Sequence, residues 1–286
     1  MLFRSPSGSG IGTWELAGRT QCEDANGNLG PCVATADNGF SLAFDEPYYS
    51  LTLDQEPSGV TISNRPGATQ RYYGADVSVV KRLSNHWMLR GNFGWNSFKQ
   101  YLTAGSIQDP NNLWDLGGQN CGSLPQTSCL AAGYSSKNSV FLNGSWQFNV
   151  NALYQGPFGL DFGVNLFGRQ GYPNPYYVRT RAVDAAGNSH RYLTMIDQLA
   201  TYRYDNVYEL DFRLQKSFEI GGVTVIPSAE LFNVANANTV LQRSQRTGDY
   251  RIRSSGTRVF SQYQYFNQII EVQSPRILRL GIQVNF

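Results

Sequence analysis

Seven stretches of the chain alternate apolar and polar residues with a period of two, the signature of half-buried β-strands. The last is the cleanest: Leu278, Leu280, Ile282, Val284 and Phe286 fall on one parity of 277–286, with Arg279, Gly281, Gln283 and Asn285 on the other. In 207–218, Tyr208, Leu210, Phe212, Leu214 and Phe218 oppose Glu209, Asp211, Arg213, Gln215 and Ser217. In 146–155, Trp146, Phe148, Val150, Ala152 and Tyr154 oppose Gln147, Asn149 and Asn151. In 160–169, Leu160, Phe162, Val164 and Leu166 oppose Asp161, Asn165 and Arg169. Segments 72–83 and 87–98 read the same way, with Asp76 and Arg90 on their polar sides. The run 223–234 is weaker, with Pro227 on its apolar parity, and an eighth strand is expected somewhere in 48–63.

Alternation alone also fits a soluble β-sandwich, and three features separate the two. The runs are 10 to 12 residues long, matching the ~9 to 11 that a tilted strand needs to cross a bilayer rather than the ~5 to 6 of ordinary strands. Their polar parity carries ten charged residues: Asp76, Arg82, Arg90, Asp161, Arg169, Glu209, Asp211, Arg213, Glu230 and Arg279. The apolar parity carries two, Lys81 and Lys216, each two residues from a strand end, where a long amine reaches the headgroups. Connections alternate as well. Short turns at 84–86, 156–159 and 219–222 interleave with loops of 47, 37 and 42 residues at 99–145, 170–206 and 235–276. Short periplasmic turns facing long extracellular loops are the outer-membrane pattern. The expected fold is therefore an all-β, antiparallel transmembrane barrel with Phe286 on the periplasmic side and the long loops extracellular.

Composition agrees. Charged residues make up 15% of the 286, and aromatics 13%, with 17 Tyr, 16 Phe and 29 Gly, a mix suited to pleated surfaces. No run approaches the ~18 apolar residues of a spanning helix, which leaves a barrel untouched because its strands average out to a hydrophilic mean hydropathy. The net charge of +2, without a cluster of Lys and Arg along the sequence, gives no footprint for nucleic acid. Residues 1–8 lack the apolar core of a signal peptide; a barrel must be exported, so the export signal is expected upstream of Met1.

Candidate chemistry is sparse. Cys22 with Cys32 and Cys121 with Cys129 form two close pairs in segments rich in Gly, Asn, Pro and Ser. Their spacing does not fit zinc knuckles and only two histidines are present, so disulfides in an oxidising compartment are expected, with free thiols or a metal as the alternative. Glu209 and Asp211 share a face, ~6.6 Å apart in backbone rise, which does not make a glycosidase pair. No nucleophile has an oriented base, so neither an enzyme nor a cofactor is expected. The charged parity, Asp76, Arg90, Asp161, Arg169, Glu209, Asp211, Arg213 and Arg279, is read as a lumen wall that pairs internally or with a plug, or else lines a ligand path. Tyr176, Tyr177, Tyr250, Tyr263, Tyr265 and Trp114 in the long loops either stack on a ligand or pack the loops.

Several of these residues resemble a known family. The ending Arg279-Leu280-Gly281-Ile282-Gln283-Val284-Asn285-Phe286 resembles the C-terminal signal of outer-membrane barrels, with Arg279, Gly281, Val284 and Phe286 at its characteristic positions. Asn64-Arg65-Pro66-Gly67 before Tyr72-Tyr73-Gly74-Ala75-Asp76, then 81–87, Glu230-Leu231-Phe232-Asn233-Val234-Ala235-Asn236 and Ser274-Pro275-Arg276 are similar to the ends of TonB-dependent receptors of the Oar-like type. The resemblance covers roughly residues 59–286. It implies the C-terminal seven or eight strands of a 22-stranded barrel, whose plug domain and N-terminal strands are not in this chain. It further implies assembly by the barrel assembly machinery, coupling through the plug to an inner-membrane energy source, and uptake of a large nutrient such as a siderophore, glycan or peptide. The alternative is a structural or adhesive outer-membrane barrel without transport.

Overall fold

The computed structural model describes residues 2–4, 14–51, 61–63, 67–102, 128–130, 133–135, 140–183, 187, 189–197, 199 and 201–286. Seven long strands dominate it: β1 (Ala68–Ser84), β2 (Trp87–Leu102), β3 (Trp146–Gln155), β4 (Leu160–Arg169), β5 (Val207–Lys216), β6 (Val223–Phe232) and β7 (Ile277–Asn285). They pair antiparallel in chain order, each with the next. Ser128–Leu130 and Phe218–Ile220 complete a nine-stranded sheet. The fold is all-β, and among the described residues the sheet is open: β1 pairs only with β2, and β7 only with β6.

The turns explain the register. Asn85 and His86 both have positive φ, 52° and 70°, the requirement of a two-residue type I′ turn, whose twist matches that of the flanking strands. Gly221 and Gly222, at 61° and 85°, do the same between Ile220 and Val223. Pro227, an awkward residue for an interior strand because it has no N–H, falls where β5 is interrupted. The ladder to β6 stops at Gln215↔Ser228 and resumes at Phe218↔Val225.

The register puts apolar parity against apolar parity across the sheet. Val77 pairs with Phe93, Phe93 with Phe148, Val150 with Leu166, Leu166 with Leu210, Phe212 with Leu231, and Leu231 with Leu278. Among the described residues this face has no cover: Leu278, Leu280 and Ile282 are 63%, 74% and 74% exposed. The separation is less clean at β1, where Tyr72 and Val80 on the polar parity are also exposed.

The structure corrects two expectations and leaves a third partly outside the described residues. The first hairpin is longer than the periodicity suggested, with strands of 17 and 16 residues, because backbone pairing continues past the end of the alternating pattern. Of the eighth strand expected in 48–63, residues 52–60 lie outside the described residues. Pro47–Leu51 pairs with Trp14–Arg19, and Thr61–Ser63 with Leu2–Arg4, both away from the large sheet. The stretches 170–206 and 235–276 are not plain loops. They fold with the N-terminal segment into a second body, here called the loop body.

Its four-stranded sheet runs Ser189–Ile196, Tyr176–Val183, Arg246–Ile252, Arg258–Gln262, with one parallel step in the middle. Against it packs a meander of Gln21–Glu23, Leu29–Thr35 and Ser41–Phe44, tied by the Cys22–Cys32 disulfide. Alternate residues of Leu29–Thr35 and Ser41–Phe44 point inward, so Cys32, Ala34, Leu42 and Phe44 join Tyr48, Tyr176, Val178, Ile196, Tyr250 and Phe266 in one buried cluster. Rings interlock there: Phe44 lies 5.3 Å from Phe260, Tyr48 5.9 Å from Tyr250, and Phe40 5.4 Å from Tyr176. Segments about two hundred residues apart in sequence are thus held in one core.

Candidate functional site

The polar face of the large sheet is the candidate site, and its side chains form two hydrogen-bonded chains across the strands. In the first, Asn151 on β3 donates to Asn149, whose amide donates to Asn165 on β4 at 3.1 Å. Asn165 donates in turn to Asp211 on β5 at 3.0 Å. The other Asp211 oxygen accepts the Asn233 N–H at 2.9 Å. These residues meet because the register pairs Asn151 with Asn165 and Asn165 with Asp211, and directly opposed polar side chains in a ladder lie within hydrogen-bond reach.

The second chain is charged. Gln215 donates to Asp161 at 3.1 Å and accepts from Arg213 Nε at 3.0 Å. Arg213 Nη1 lies 2.8 Å from Glu230, and Arg279 bonds the other oxygen of the same carboxylate. Glu230 is 7% exposed, so one buried carboxylate on β6 is neutralised from β5 and β7. A carboxylate removed from water survives ionised only with such partners. Gly163 leaves room for this chain, since a Cβ there would come 3.3 Å from the Arg213 Cβ.

Not every expected lumen residue joins. Asp161, Asp211, Arg213 and Arg279 do. Asp76 lies apart, its carboxylate folded over Gly94, where a Cβ would meet Oδ1 at 2.7 Å. Arg90 is opposite Val80 on one side and Asn151 on the other. Arg169 turns towards the loop end of the sheet, donating to the Gln170 carbonyl at 3.2 Å and stacking 4.0 Å over Tyr172. Glu209 sits opposite Phe167. Glu230, Asn149, Asn151, Asn165 and Gln215 were not singled out from the sequence as site residues, although their shared parity was the available signal.

Asn233 closes the site at the loop end. It is buried, has φ 45°, donates to the carbonyls of Ala237 and Ser274 at 2.8 and 2.7 Å, and accepts from the Ala237 N–H. Asn236, at φ 52°, accepts the Arg276 N–H at 3.0 Å. The segments Glu230–Asn236 and Ser274–Arg276, which carried part of the family resemblance, are thus one corner joining β5, β6 and β7. Within the final strand, Gly281 faces Ser228, and Val284 and Phe286 stand exposed on the apolar face.

The opposite face carries aromatics in two belts. At the loop end, Trp146, Phe148 and Tyr208 gather over Gly168, with ring centroids 6.1 to 6.5 Å apart; a Cβ at Gly168 would come 2.5 Å from the Phe148 ring. At the turn end lie Trp87, Tyr154, Phe162, Phe218 and Phe286. Lys81 Nζ sits 3.9 Å over the Trp87 ring and donates to the Ser84 and Trp87 carbonyls, both at 2.8 Å. Lys216 lies 5.0 Å over Phe218. Both apolar-parity lysines thus point to the turns. From Trp146 to Tyr154 the strand rises roughly 27 Å, or about 20 Å once tilted by ~40°, of the order of the ~25 Å apolar band of a membrane barrel.

In the loop body, Tyr176 donates to Asn267 at 2.7 Å and Tyr250 to the Gln21 carbonyl at 3.0 Å. Both are buried, so they pack the body rather than stack on a ligand. Tyr263 and Tyr265 lie edge to face, 5.5 Å apart. Burial pushes the Tyr48 and Tyr176 hydroxyls up to about 12. Of the expected disulfides, Cys22–Cys32 is formed. Cys121 and Trp114 lie outside the described residues, and so does the side chain of Cys129.

Fold and site together define an all-β protein whose large sheet has one exposed apolar face and one hydrogen-bonded polar face. No protein-family model matches the chain, and no curated protein matches it.

Proposed function

We propose that the large sheet is part of the wall of an outer-membrane barrel, with the apolar face against lipid and the polar face towards the lumen. The observation that carries this reading is the uncovered apolar face, in register across seven strands. Soluble monomers rarely expose apolar patches beyond a few hundred Å², whereas a lipid-facing wall requires one. The aromatic belts and the hydrogen-bonded face behind them support the same reading. In the barrel each edge strand then pairs with a further strand beside it, because an open edge in hydrocarbon leaves N–H and C=O groups unpaired at several kcal/mol each.

On the resemblance of the final strand and the Glu230–Asn236 corner, the barrel is the C-terminal part of a TonB-dependent receptor of the Oar-like type. It takes up a large nutrient, such as an iron chelate, glycan or peptide, with energy passed through a plug from the inner membrane. It has no enzymatic role. The chain's C-terminus is periplasmic, and the loop body stands outside the cell. Protease treatment of intact cells bearing the full reading frame tests the placement: cleavage within 99–145 and none at Ser84–His86 is expected, and the reverse pattern contradicts it.

A second reading is favoured by one observation. The loops fuse into a body with its own core, as a surface-display or adhesive barrel would present. The upstream reading frame separates the two: a plug and an energy-coupling segment sustain uptake, and their absence leaves adhesion.

A further inference from the structure

We propose that the outer face of the loop body's four-stranded sheet binds a phosphate-type oxyanion, free or carried as the terminal group of a larger ligand. This proposal stands on the loop body alone and does not depend on import. Arg179 and Arg181 come from Tyr176–Val183, Arg191 from Ser189–Ile196 and Arg251 from Arg246–Ile252. Their parity is opposite to that of Val178, Thr180 and Tyr250, which point into the core. They line one depression of about 200 Å³ together with Asp249 and Ser261. Arg179 and Arg181 are neighbours on one strand, with Arg191 ten residues on, but Arg251 is sixty residues beyond that, so the fold completes the cluster.

The four arginines outnumber the one acid that faces them, Asp249, which lies opposite Arg179 in the ladder. Asp249, the acid within the depression, is already held by Arg246 at 2.5 Å. None of the four arginines has a hydrogen-bond or ion-pair acceptor among the described residues. Arg181 and Arg191 are directly opposed in the ladder, an arrangement of like charges that destabilises a sheet and that an anion between them relieves. Guanidinium forks match the oxygens of phosphate two at a time. A monocarboxylate would leave most of the charge unpaired, while a phosphate carrying up to two negative charges offsets more of it. The depression is smaller than the ~300 to 1,000 Å³ of sites that swallow a whole small ligand, so it suits one oxyanion group.

The test is calorimetric titration of the full chain, folded in detergent micelles, with inorganic phosphate at constant ionic strength. Saturable binding is expected, at least tenfold weaker in Arg181→Gln/Arg191→Gln and unchanged in Arg253→Gln/Arg276→Gln, which removes the same charge elsewhere. Arg181 and Arg191 are exposed, so the fold should persist, checked by an unchanged melting curve; Arg251→Gln serves as an independent variant. Flotation with phosphatidylcholine vesicles, with and without phosphatidic acid, identifies the source. Phosphate-competed capture by phosphatidic acid assigns a lipid headgroup, and phosphate binding without capture assigns a soluble ligand. Absence of saturable phosphate binding, or equal weakening by both double variants, overturns the proposal.

Discussion

Asn233 illustrates what individual residues contribute. Two of its side-chain bonds close the turn on Ala237 and a third ties it to Ser274, while its backbone sits at φ 45°, a conformation that costs an ordinary L-residue ~1 to 2 kcal/mol. Asn233→Gly loses the bonds but keeps the turn; Asn233→Ala loses both. Urea unfolding in detergent should therefore rank Ala below Gly by about 1 kcal/mol, and equal stabilities would remove the backbone from the account. Glu230→Gln should cost about 1 to 2 kcal/mol by the same measurement. That is less than a sealed ion pair, because the Arg213 and Arg279 side chains are 48% and 65% exposed. The parity of these residues was legible in the sequence, since period-two alternation is a local property. Their partners were not, because pairing Asp161 with Gln215 or Arg213 with Glu230 depends on register between strands. The Tyr176 and Tyr250 rings were equally ambiguous until their burial was seen.

Among elements, the seven long strands were readable and their ends were not. Alternation marks where one face must be apolar, but hydrogen bonding carries β1 and β2 beyond that limit. The type I′ turn at Asn85-His86 contains no glycine, so turn chemistry gave less warning than the Gly221-Gly222 turn. The strands of the loop body were missed for another reason. They are short, several have one fully buried side, and their partners lie far along the chain, as with the parallel pairing of Tyr177–Thr180 to Arg246–Tyr250. Closing the short loop between Cys22 and Cys32 restricts the unfolded chain by roughly 2 to 3 kcal/mol. Reduction in detergent should lower loop-body stability by that amount while leaving the far-ultraviolet signal of the large sheet in place; simultaneous loss of both would join the two bodies into one cooperative unit.

At the scale of the molecule, the two bodies keep their apolar residues differently. The loop body hides them in a core, and the large sheet leaves them exposed on one face. A core with buried tyrosines responds to alkali. Tyr48 and Tyr176 ionise near 12 in the fold and near 10 when unfolded, so the unfolded state gives up its protons first as pH rises. Loop-body stability is therefore expected to be complete below pH 10 and to fall between about 10 and 12. Thermal melts across that range, with ultraviolet absorbance following tyrosinate, check it; a constant melting temperature contradicts the burial of these hydroxyls.

The large sheet has its own decisive test, which is the cost of an arginine on each face when the chain folds into lipid vesicles. Val150→Arg and Leu210→Arg, near the middle of the apolar face, should each cost ~2 to 4 kcal/mol, and Asn151→Arg on the polar face far less. Equal costs on the two faces would contradict a wall with lipid on one side and a lumen on the other.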